Sequence, residues 1–261
     1  MRRSLATASI AALAALYACA DSTPPLTQEQ LDEALAISVS GADVDPNAQT
    51  AGGHTATQPP VTCAYNATTK WTTCGPSTLN GLTITREMQF LDSTGTPQQM
   101  PNSATRSMKS KTTVTGTKTI QTPTSTGTIT ISRTSDETVT GLGPSSAQRV
   151  VNGTATGAEN SVGTDTRGTM AVQRTYTDST IAMTFAAVFN PASPWPISGK
   201  IVRNVTATAT FNGGTAKNYT SREEKTFEAG GKVTMKMTMN GQTRTCVGQM
   251  GSITPPVCTQ G

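Results

Sequence analysis

A single histidine, His54, stands in the whole chain, and that scarcity closes off much chemistry. Hydrolase triads need an imidazole to relay the proton. Ser-His and Cys-His catalysis therefore have no base outside the Gly- and Pro-rich stretch that holds His54. No serine is followed three residues later by lysine, which removes the Ser-x-x-Lys nucleophile as well. No Cys-x-x-Cys pair exists to seat zinc. Beyond residue 20, no apolar run approaches the roughly 20 residues that a membrane-crossing helix requires.

Large aliphatics are also few. Leu, Ile, Val and Phe make up 36 of residues 21–261, below the roughly 20% at which disorder becomes a concern. The high net charge that accompanies disorder is missing. Residues 21–261 carry 18 Lys and Arg against 16 Asp and Glu, a balance of +2. The basic residues are scattered, with one small group at Arg106, Lys109 and Lys111 that reads as a solvated strand face. Nucleic-acid binding needs clustered Lys and Arg, so nucleic acid is not an expected partner.

Threonine fills the gap, with 51 of 261 residues. It is β-branched and favours strands, packing its methyl while its hydroxyl meets water. From Val61 onward the pattern has period two. Leu82, Ile84, Met88 and Phe90 share one face, interrupted by Arg86. Ile129 and Ile131 alternate with Thr128, Thr130 and Ser132. Val205, Ala207, Ala209 and Phe211 alternate with threonines, and Val233, Met235, Met237 and Met239 alternate with Thr234, Lys236 and Thr238. Such alternation marks half-buried antiparallel strands. Turn signals fall at Asn80-Gly81, Ser93-Thr94-Gly95, Asn152-Gly153, Asn212-Gly213-Gly214, Gly230-Gly231 and Asn240-Gly241. The segment 190–196, with three prolines, is a rigid break. The expectation is a mainly β domain over residues 61–261, an antiparallel meander of about ten strands, strongly curved or closed into a barrel-like sheet.

Ahead of it, residues 1–20 have a basic start, an apolar run from Leu5 to Tyr17 and a small-residue exit, the three parts of a secretory signal. Leu16-Tyr17-Ala18-Cys19 resembles the lipobox of bacterial lipoproteins, which implies lipidation at Cys19. Ala18-Cys19-Ala20 also fits an ordinary signal-peptidase cut. Arg2-Arg3 matches a twin-arginine signal poorly, which favours the general secretory route. Thr27 and Gln30 form a capping box, and Leu31, Ala34, Leu35 and Ser38 share a helical face, giving one short helix over 28–38. Residues 40–60 read as a linker, so 21–60 is a tether that carries the domain clear of a membrane. A helix packed on the sheet is the competing reading of 28–38.

Four cysteines follow the signal: Cys63, Cys74, Cys246 and Cys258. An even number in an exported protein indicates disulfides. Of three connectivities, two local pairs are favoured, each closing a loop of about a dozen residues and stabilising by roughly 3 kcal/mol.

The remaining candidates are weak. Glu223, Glu224 and Glu228 cluster, but neighbours on a strand face opposite ways, so a charge row on an edge strand is expected. An enzyme would need convergent carboxylates such as Glu87 with Glu223. Asp43, Asp45 and Asn47 open like a calcium loop, yet Ala48 and His54 stand where glycine and glutamate belong. Neither an enzyme nor a cofactor or metal is expected. Met235, Met237, Met239 and Phe211 form an apolar stripe, either core or a pliable lining for a lipid or other apolar ligand. The Thr-x-Thr runs resemble ice-binding arrays, but their spacing drifts, which favours an ordinary strand surface. Sequons at Asn66, Asn152, Asn204 and Asn218 follow from abundant threonine.

The threonine-rich hairpins, the WPISGKI break at 195–201 and the NGQTRTC segment at 240–246 resemble exported bacterial lipoproteins of no assigned activity. That resemblance implies a non-enzymatic envelope protein on a lipid anchor, most naturally at the outer membrane, with soluble periplasmic or secreted protein as the alternative. Within it, a carrier of a hydrophobic ligand competes with a surface or adhesin-like scaffold.

Overall fold

From Val61 onward, alternating β-branched and apolar residues give strand faces rather than helical ones, and the described residues pair as antiparallel hairpins in sequence order. The computed structural model describes residues 63–79, 81–121, 126–165, 168–186, 195–239, 241–250 and 257–260. Thirteen strands occupy them: β1 Cys63–Asn66, β2 Trp71–Leu79, β3 Leu82–Leu91, β4 Pro97–Gln98, β5 Ser107–Gln121, β6 Thr126–Thr140 and β7 Gln148–Asp165. The others are β8 Gly168–Ala186, β9 Ser198–Phe211, β10 Lys217–Glu228, β11 Lys232–Met239, β12 Gln242–Gln249 and β13 Val257–Gln260. All belong to one sheet in which each strand pairs with its sequence neighbours, except that β4 is a short flap on β3.

The sheet is mainly antiparallel β as the alternation requires, but two finer expectations are corrected. The described residues hold thirteen strands rather than about ten, because β1, β4 and β13 are too short to show any periodicity. The sheet is open rather than strongly curved or barrel-like: the ladder ends at β1 and β13. Each end strand spends its pairing on its inner neighbour and is stapled to it, Cys63 to Cys74 and Cys246 to Cys258. The expected helix at 28–38, the linker, Cys19 and His54 lie outside the described residues.

A third correction concerns Asn152-Gly153, which is no turn but lies within β7. The register between β7 and β8 slips there, between Val151 and Gly153. The Asn152 side chain accepts a hydrogen bond from the Ala182 backbone N–H on the irregular stretch of β8 (2.8 Å). A residue pair suited to turns here serves a bulge.

Cross-strand register sorts the side chains onto two faces. The outer face carries aligned hydroxyls: Thr85, Thr113, Thr134, Thr156 and Thr177 are successive partners from β3 to β8. The inner face holds Val114, Val139, Val151, Tyr176, Met183, Val205, Phe227, Met235, Met237 and Met239, all buried. Near one end of it Val139, Val151, Met183, Phe185 and Phe227 cluster, each contributing roughly 1.5–3 kcal/mol by burial.

Side chains on the inner face lie sideways over small neighbours. The Tyr176 ring of β8 occupies the space above Gly157 of β7, where a Cβ would overlap it, and the Glu137 side chain does the same above Gly153. Glycine is required at 157 for room, not for backbone angle. Gly157→Ala should therefore destabilise by about 1–3 kcal/mol through overpacking, measured by urea unfolding. Truncating the ring in a Gly157→Ala/Tyr176→Ala double variant should make the two effects non-additive, since the added methyl then has space.

Candidate functional site: a buried ionic row

Three adjacent transverse rows cross the inner face. One runs Arg86, Thr112, Ser135, Ala155, Asp178, Arg203, Glu223, Met237, Arg244, one residue per strand from β3 to β12 with β4 bypassed. The flanking rows bring in Glu137 and Lys225 on one side and Arg133 and Tyr176 on the other. Asp178, Glu137, Glu223, Lys225 and Arg244 are all buried. Isolated charges so placed would each lose several kcal/mol of hydration, so they have to be arranged against one another.

Asp178 is the centre of that arrangement. Arg203, its partner on β9, donates from Nε to Oδ1 (2.7 Å) and from Nη2 to Oδ2 (2.9 Å), a two-point fork of high directionality. Arg133 approaches the same carboxylate from β6, with Nη2 3.5 Å from Oδ2. Reaching it means crossing β7, which offers only Ala155 and Gly157 along that path. The Arg203 guanidinium also stacks over the Tyr176 ring, 4.6 Å from its centroid, a cation–π contact in a desolvated place. Burial pulls Arg203 down, but the hydrogen bonds and charge of Asp178, with Glu223 and Tyr176 adding, hold it above its ordinary value. Farther out, burial lowers Arg86 while the charge of Glu137 opposes that shift. The intervening residues of β5, Ser110 and Thr112, are again small. Arg174 and Glu159, direct partners on β8 and β7, form another ion pair on this face.

A cleft of about 20 Å³ opens among Arg133, Asp178, Thr180, Ile201, Arg203, Glu223 and Lys225. By volume it holds about one water-sized species.

The sites expected from sequence are distributed as follows. Met235, Met237 and Met239 are only 3, 4 and 6% exposed, so they are packed rather than lining an open pocket. Phe211 ends β9 at the backbone level, opposite Met170, and its side chain lies outside what is described. Both disulfides have the local pairing, and Cys74 and Cys246 are buried. Glu223 is not on an edge strand: β10 lies between β9 and β11, and burial beside Arg203 explains its place. Glu87 shares the face of Lys111 and Thr73, opposite to Arg86 and Glu223, so Glu87 and Glu223 do not converge.

The near-neutral balance of the chain conceals a partition. Residues 21–62 hold six Asp and Glu and no Lys or Arg, whereas residues 63–261 hold eighteen Lys and Arg against ten Asp and Glu. No family model, curated protein or solved structure matches the chain.

Tyr176 reports on this environment. Burial, with Glu159 adding and Arg133 and Arg203 opposing, pushes its hydroxyl up to about 12. The unfolded chain ionises this tyrosine first, so its contribution to stability is complete below about pH 10 and is lost as pH rises through about 12. An alkaline titration followed by tyrosinate absorbance should resolve one late-ionising residue that disappears in Tyr176→Phe. Over the same window wild type should lose unfolding free energy more steeply than Tyr176→Phe.

Proposed function

We propose that this protein is a non-enzymatic cell-envelope scaffold, exported and anchored by lipid at Cys19, that presents a wide threonine-rich sheet face. The observation that carries the reading is the filled inner face. Met235, Met237 and Met239 are buried, and the cleft near them is of single-water size, with Arg133, Asp178, Arg203, Glu223 and Lys225 on its wall beside Thr180 and Ile201. An acyl chain has no room in that cleft, which favours the scaffold over a hydrophobic-ligand carrier.

Other features agree. The outer face aligns Thr83, Thr115, Ser132, Ala158, Thr175, Thr206 and Thr220 in a row beside the first threonine row. From Thr115 to Thr220 every one of them is exposed. Rows of short β-branched hydroxyls form a regular, weakly hydrophobic surface suited to broad contacts rather than to a single ligand. The two disulfides fit an oxidising compartment. An acidic tether resists collapse onto anionic lipid headgroups, which keeps the sheet clear of the membrane.

The test is mass spectrometry of protein purified from its native membrane. The scaffold reading expects an acyl modification on Cys19, lost in Cys19→Ala with release of the protein from the membrane, and no stoichiometric lipid bound to the folded domain. A lipid extracted at one per protein would overturn it in favour of the carrier.

A further inference from the structure

Along the chain the Thr-x-Thr runs drift in spacing, but strand pairing removes the drift. From β5 to β8, three adjacent rows of the outer face stand in unbroken register. Two belong to the threonine rows that contain Thr113 and Thr115, and the third runs Thr117, Thr130, Asn160, Gln173. All twelve side chains are exposed, and eight are threonine. None carries a charge or an aromatic ring, although soluble domains keep roughly 25–35% Lys, Arg, Glu and Asp on their surfaces. The register slips of β7 and β8 fall between Val151 and Gly153 and between Ile181 and Thr184, beyond the patch.

That composition argues against a protein or a sugar as partner. Protein interfaces are anchored by aromatic, Met and Arg side chains, and a sugar would find no ring to stack on. Four strands by three residue repeats span roughly 400 Å², half of the about 800 Å² per partner that a stable protein complex buries. What the patch has is repetition, a hydroxyl with a methyl at most points of a grid. Grid points lie about 4.8 Å apart across strands and about 6.8 Å apart along them. Hydrogen bonds of about 2.75 Å at the tetrahedral angle place second-neighbour oxygens of ice about 4.5 Å apart and repeat its layers every 7.3 Å or about that. Over three strand spacings and two residue repeats the mismatch grows to only about 1 Å in each direction. Sheet twist opposes such a fit, and side-chain ladders are what flatten a sheet. Such a contact runs through the patch, where the Thr117 and Thr130 hydroxyls share a hydrogen bond (2.9 Å).

We propose that this patch adsorbs to the surface of ice. A periodic partner is what a repeated side chain can address: each hydroxyl stands in for a lattice oxygen, each methyl sheds its hydration water, and many weak contacts replace a few strong ones. The inference rests on the scaffold reading, because it needs the outer face presented to the surroundings, and it names the partner of that face.

The experiment uses the full mature protein with both disulfides formed, present while ice grows slowly from solution, and measures the fraction taken into the ice. Wild type should be enriched there relative to an unrelated soluble protein. Thr156→Lys, within the patch, should cut uptake about tenfold at an unchanged urea midpoint. Ala216→Lys, in the exposed turn between β9 and β10, should not. If Thr156→Lys does not fold, Ser132→Thr/Ala158→Thr decides, since it completes the grid and should raise uptake above wild type. Exclusion of wild type from ice, uptake unmoved by Thr156→Lys, or, in its place, uptake unmoved by the completed grid would overturn the inference. Exclusion from ice with Cys19 acylated and no lipid on the domain leaves the scaffold reading intact. A lipid bound at one per protein, with ice uptake retained, removes that reading instead.

Discussion

Asp178 held between Arg203 and Arg133 is the interaction on which the inner face depends. A sheet built from small and β-branched residues has little apolar bulk to exclude water: one apolar cluster lies toward one end, and Leu82, Val114, Val172 and Val205 are buried elsewhere. The middle of the face is instead closed by long polar side chains. Arg203 is pinned by two hydrogen bonds to Asp178 and by the Tyr176 ring beneath it. Arg133 reaches the same carboxylate only because β7 presents alanine and glycine along its path. Small residues on one strand and long ones on its neighbours are thus parts of one device. The glycines make room, the long side chains lie down into it, and Arg203 and Arg133 meet Asp178 laterally.

The outer face follows a simpler rule. Threonine gives strand propensity without demanding burial, so rows of it can stand in water across the whole sheet. The exposed edges of a large open sheet are a hazard, because unpaired strands recruit other chains. Here each end strand is four residues long and joined to its neighbour by a disulfide between directly opposed cysteines. Cross-linking at both margins limits fraying of the short end strands.

Much of this was legible in the sequence. Period-two alternation identified the faces at Val205–Ala209 and Val233–Met239, and cysteine spacing favoured the local pairs. What escaped notice was where charge and apolar residues share a phase. Arg86 looked like an interruption of an apolar face, yet it begins the buried row. Glu223 looked like surface charge because nothing local reveals that β10 is an interior strand. The available signal was the series Gly153, Ala155, Gly157 beside Arg133, Ser135, Glu137: small residues at period two next to a strand whose charges, Arg133 and Glu137, share one face. Asn152-Gly153 was misread for a related reason, since the same dipeptide that suits a turn also suits a bulge.

The most direct measurement is a double-mutant cycle between Arg133 and Asp178, read by urea unfolding of Arg133→Met, Asp178→Asn and the pair. These residues lie on strands separated by β7, so only a side chain reaching across the small residues can couple them. The account predicts that Asp178→Asn alone destabilises by about 3–5 kcal/mol, and that the two substitutions are coupled by roughly 0.5–3 kcal/mol. Strict additivity, with no coupling between the two positions, would contradict it.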